Sequence, residues 1–148
     1  MRTWLRLRAV AGLGSGASRL AVELVALANS GYGAENPQIA MPLPLASALG
    51  YWPTLPPEAQ LRWYGSAGGQ FQAWAIPGAV DVSVLTPDRV QGPVVAEVHI
   101  NPQRPYSLMS STLLTALRIV LLSPGEGVWA FADELARPRQ SEPAPEGG

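Results

Sequence analysis

Leu24-Val25-Ala26-Leu27-Ala28-Asn29-Ser30-Gly31-Tyr32-Gly33 is an apolar run that ends in a polar triplet and a glycine-containing turn. The run has strand character, and it stops where the hydrogen-bonding side chains begin. A buried strand that delivers a short polar triplet into a turn holds those groups on a rigid element, as a binding or catalytic site requires. Asn29, Ser30 and Gly31 are therefore the candidate site residues.

Working outward, the whole chain of 148 residues fits one domain with its own core. Hydrophobic residues make up 47% and charged residues 14%, a balance that suits a compact fold. The net charge of −1 gives no basic excess to meet nucleic acid or an anionic membrane, so neither is expected as a partner. All ten basic residues are arginine. Without cysteine there is neither a disulfide framework nor a thiolate metal site, and one histidine, His99, with scattered carboxylates argues against a metal centre; no cofactor is expected. Arginines interrupt the apolar start, and no run approaches the roughly 18 apolar residues of a membrane span, so a cytoplasmic location is expected.

Alternation predicts strands over Thr3–Val10 and Arg19–Ala28, joined by a turn at Gly12-Leu13-Gly14-Ser15-Gly16-Ala17-Ser18. No Lys-Ser/Thr follows those glycines, which sets aside a phosphate loop. Prolines from Pro37 to Pro44 forbid a regular helix, and Pro44–Gly50 reads as one or two helical turns. Tyr51–Pro57 is a rigid extended linker. Ala59–Tyr64 and Phe71–Ile76 form a hairpin around Gly65-Ser66-Ala67-Gly68-Gly69. Further strands are expected over Ala79–Leu85, Val94–Ile100, Ile119–Leu122 and Val128–Phe131. Ser110 or Ser111 caps a helix with Leu113, Leu114 and Leu117 inward. His99 lies in a strand as a surface or half-buried side chain, and no Gly-x-Ser-x-Gly elbow supports a serine triad. Residues 1–135 form the domain, and residues 136–148, with almost nothing apolar to bury, are expected to be disordered.

Three motifs in consistent order between Val22 and Leu122 resemble the retropepsin-like aspartic proteases. They are the apolar strand with its Asn29-Ser30-Gly31 triplet, the Leu43-Pro44…Ala48-Leu49-Gly50 segment, and the closing Leu108-Met109-Ser110 before a Leu113-Leu114…Leu117 helix and an apolar strand. The chain departs from the family twice: Asn29 stands where the catalytic aspartate belongs, and Ser110 where a glycine does. The resemblance implies an all-β fold, a closed, mostly antiparallel β-barrel with one short helix near its end. Gly65 to Gly69 would be the tip of a flap closing over an extended peptide or unfolded protein. The length gives one lobe and one triplet, so the family's paired site would need a homodimer with Asn29 meeting its copy across a twofold axis.

In such a site two carboxylates share one proton, one acting as base and the other as acid. An amide can hold a water but cannot take its proton. Asp81, Asp88 and Asp133 are the chain's only aspartates, and none precedes Ser/Thr-Gly. Three readings follow: an endopeptidase disabled by the exchange of Asp for Asn, natural or engineered; a pseudoprotease that binds extended peptides by strand addition; and a structural dimerisation module.

Overall fold

Alternation is what sets the first pair of strands. A computed structural model describes residues 2–12, 19–29, 31–66 and 69–145. β1 (Trp4–Ala11) turns Leu5, Leu7, Ala9 and Ala11 into the core, and β2 (Ala21–Ala28) turns in Leu24, Ala26 and Ala28. The two are antiparallel, with Leu7 opposite Leu24. Most of the turn expected between them, residues 13–18, lies outside the described residues.

β3 (Gln38–Met41) is a strand where only a proline-bounded connection was legible, and α1 (Leu43–Ala48) follows with Pro44 in its first turn. β4 (Gln60–Ser66) pairs with the first part of β5 (Gly69–Leu85), which joins two expected strands into one of 17 residues. Pro77 and Gly78 do not end it. The ladder to β6 (Val90–Ile100) shifts register there, between Ile76 and Val80, and Gly78 adopts a φ of 61°. Beyond this irregularity β5 exchanges β4 for β1 as the neighbour on that edge, pairing Val84 with Leu7.

That exchange closes the barrel. Six strands run in the ring order β1, β2, β7 (Ser107–Met109), β3, β6, β5 and back to β1, with β4 extending outside it on β5. The expectation of a closed, mostly antiparallel β-barrel holds at this level: of the ring pairings, only β2 with β7 and β3 with β6 are parallel. β7 threads between β2 and β3, parallel to the first and antiparallel to the second.

α2 (Ser111–Ala116) is capped by Ser110, whose Oγ accepts from the Leu113 N–H at 3.1 Å and from the Gln38 N–H at 2.9 Å. The hydroxyl that departs from the family pattern therefore fastens α2 and β3 together. α1 falls where Pro44–Gly50 reads as one or two helical turns, and α2 is the short helix expected near the end. β8 (Ile119–Ser123), β9 (Val128–Phe131) and β10 (Arg139–Gln140) make a small second sheet.

Disorder from residue 136 is contradicted for residues 136–145. β10 pairs with β9, the Trp4 N–H donates to Ser141 Oγ at 2.7 Å, and the Glu142 N–H donates to the Trp4 carbonyl at 2.9 Å. Charge rather than apolar burial orders the segment. Arg139 grips Asp88 with both terminal nitrogens, at 2.7 and 3.1 Å, and Arg137 adds a third contact at 2.8 Å.

Candidate functional site

The register lines up one residue from each ring strand across the outer face of the sheet. Trp4 faces Leu27, Leu27 faces Leu108, Leu108 faces Ala40, Ala40 faces His99 and His99 faces Ala75. Trp4, Leu27, Ala40 and Leu108 form an apolar cluster separate from the main core, with Val25, Tyr32 and Tyr106 packed against it. Leu27, Ala40, His99 and Leu108 of this row line the recesses beside the loop after β2.

Asn29 Oδ1 accepts from the Gly31 N–H at 3.1 Å, and the Tyr32 N–H donates to the Asn29 carbonyl at 3.1 Å, so the asparagine side chain builds its own turn. A Cβ on Gly31 would lie 3.3 Å from that Oδ1, which favours glycine there. The loop is tied to the barrel: the Asn29 N–H reaches the Met109 carbonyl, the Ser111 N–H donates to the Tyr32 carbonyl at 2.8 Å, and Thr112 Oγ1 to that of Asn36 at 2.8 Å. Ser30 lies outside the described residues.

Two recesses flank Asn29. One, about 470 Å³, is lined by residues that include Tyr32, Gln38, Phe71, Ala73, His99 and Arg104. The other, about 460 Å³, includes Arg2, Leu27, Arg104 and Tyr106. Both are lined by Asn29, Arg104 and Leu108, and we call the adjoining pair the trough. The hairpin expected to serve as a flap borders it through Phe71 and Ala73 of β5. Gly65 and Ser66 end β4, and Gly69, with a φ of 113°, begins β5; Ala67 and Gly68 lie outside the described residues.

A polar chain that sequence reasoning missed backs the wall of the trough. The Tyr32 hydroxyl donates to Gln38 Oε1 at 3.1 Å and lies 3.4 Å from His99 Nδ1. Gln38 Nε2 donates to Glu97 Oε2 at 2.9 Å, His99 Nε2 is 3.5 Å from the same oxygen, and Arg62 Nη1 lies 2.8 Å from Oε1. Burial pushes the His99 pKa below its ordinary value, against the pull of Glu97. The imidazole is thus neutral near pH 7. His99 and Glu97 share the outward face of β6, and the pairing Gln38–Glu97 across β3 could be found only once the register was known.

Arg2, Arg104 and Tyr106 were missed as well, since no local pattern marks them. The Arg2 Nη1 donates to the Tyr106 hydroxyl at 3.3 Å, and Tyr106 meets Trp4 edge-on at 5.4 Å. Hydrogen bonding from Arg2, with Arg104 nearby, holds the phenol below the usual tyrosine range.

Among the described residues no group of three or more His, Asp or Glu is placed to hold a metal, and no helix is long and apolar enough to cross a membrane. No protein-family model matches the chain, and no curated protein matches it significantly.

Proposed function

We propose that the chain is a single-lobe, retropepsin-like protein that pairs with a second copy and binds extended peptide without cutting it. The observation that carries this reading is the position of Asn29. It stands at the centre of a trough, at the end of a strand built into a closed barrel, with a β-hairpin strand along one side.

Hydrolysis at such a site needs a base to take a proton from water as its oxygen attacks the amide carbon. It also needs an acid to protonate the carbonyl oxygen. An asparagine amide does neither, and among the described residues no carboxylate lines the trough. His99 lines the same recess, but its Nδ1 lies 3.4 Å from the Tyr32 hydroxyl and its Nε2 3.5 Å from Glu97 Oε2, so both ring nitrogens are engaged within the wall. Binding, in contrast, requires only the cross-strand row, the amide donors of the loop and the edge of the hairpin. One lobe carries one triplet, so a symmetric site needs the second copy.

The test is a peptide-binding and cleavage series from about pH 3 to pH 7, the window in which paired carboxylates share a proton. The parent chain sediments as a dimer, binds and cuts nothing. Asn29→Asp cuts an unfolded protein with an acid optimum and is blocked by a statine-type inhibitor. Activity falls at higher pH, when both carboxylates ionise. A variant that folds and dimerises yet cuts nothing removes the retropepsin-like reading; a parent that cuts as fast as the variant shows that position 29 is not catalytic.

A further inference from the structure

Most of the ten arginines have an acidic neighbour. Arg6, Arg19, Arg62, Arg89, Arg137 and Arg139 lie within ion-pair distance of carboxylates. Arg8 stands opposite Glu23 in the β1–β2 register, and Arg118 lies close enough to Asp133 to help lower its pKa. Arg2 and Arg104 have no such partner among the described residues, and both line the trough. A chain of net charge −1 thus places two arginines, and no described carboxylate, along its candidate binding surface.

The uncharged donors point to the same ligand. Asn29 has its oxygen occupied by the Gly31 N–H, so its Nδ2 amide is what it can present to a ligand. Tyr106, polarised by Arg2 and Arg104, is a strengthened donor at the other end.

We propose that this trough recognises a carboxylate. Arg104, common to both recesses, supplies the central charge. Arg2 reinforces it, the Asn29 amide donates a hydrogen bond, and the carboxylate is the acidic side chain of an extended peptide. The proposal rests on the peptide-binding reading above for the source of the carboxylate, not for the anion site itself. It also accounts for the amide at position 29, because an aspartate there would set a negative charge against the ligand. A guanidinium meets a carboxylate with two parallel N–H donors, so the preference is for a planar oxyanion rather than for negative charge in general.

The test uses calorimetric titration of the full chain with three probes. These are a blocked octapeptide with one central aspartate, the same peptide with asparagine there, and citrate alone. The aspartyl peptide binds about tenfold tighter than its amide twin at low salt, and the advantage shrinks as salt screens the exposed partner. Arg104→Gln abolishes the preference, and Arg104→Lys keeps part of it. Equal binding of the two peptides overturns the carboxylate site and leaves peptide binding standing. Citrate binding that Arg104→Gln abolishes, with neither peptide bound, upholds the anion site and removes the peptide reading. Failure of all three probes overturns both.

Discussion

The arginines on the two sides of this molecule live under opposite conditions. Around Phe131, Arg89, Arg137 and Arg139 face Asp88, Asp133 and Glu134 in a matched set, and the guanidinium of Arg89 lies 4.1 Å from the phenyl centroid, that of Arg139 4.9 Å. At the trough, Arg2 and Arg104 face the Tyr106 phenol instead. Charges satisfied within the chain hold a segment in place. Charges without an internal counterion are available to a ligand, and folding gains little from them.

Removing the platform of the matched cluster should have the largest effect. Phe131 is fully buried beneath both arginines, so Phe131→Ala should cost about 3–5 kcal/mol, read from urea unfolding. A loss below about 1 kcal/mol would show that the site collapses freely. Next, Arg139→Ala removes a side chain that is 10% exposed and joined to Asp88 and Glu134. A loss of about 1–2 kcal/mol is expected, with faster amide exchange confined to residues 137–142. Unchanged exchange there would mean that the backbone pairing to β9 and Trp4 suffices.

Acid should separate the regions by pH. The lowered His99 pKa means that the unfolded chain binds more protons just below the ordinary histidine value. Stability therefore declines as pH falls from about 6.5, and His99→Gln should flatten that slope. Asp88 is held well below the carboxylate range, first by its hydrogen bond from Arg139. Its contribution is complete above about pH 4 and is lost only in stronger acid. Unfolding midpoints of parent and His99→Gln across this range check the order; an unchanged slope in the variant would show that another group titrates. The smallest effect belongs to the trough: Arg2→Gln and Arg104→Gln should each change stability by no more than about 0.5 kcal/mol. A larger loss from Arg104 would move it to the structural side of the comparison.

What could be read from the chain follows the same division between local and distant causes. β1, β2 and α2 announce themselves through apolar spacing and a serine cap, and Asn29 through its abrupt place at the end of an apolar run. β3 and β7 are too short to carry a period; what makes them strands is the neighbours they meet far along the chain. Residues 136–145 look disordered because their order comes from salt bridges to Asp88 and Glu134. The Tyr32–His99–Glu97 chain and the Arg2–Arg104 pair are products of register and closure, for which no stretch of sequence holds a signal.

The cross-strand row beneath the trough has a consequence for timing. Each of its six residues comes from a different ring strand, and neighbours in the row, such as Leu27 and Leu108 or Ala40 and His99, are brought together only by long-range pairing. Such contacts form late, after the entropy of closing long loops has been overcome. A chain emerging during synthesis can bring Trp4 to Leu27 and Ala75 to His99 through neighbouring strands, but the row is complete only once β7 has slotted between β2 and β3. Competence to bind therefore arrives in a single step with completion of the ring, and a bound ligand stabilises the finished barrel as a whole.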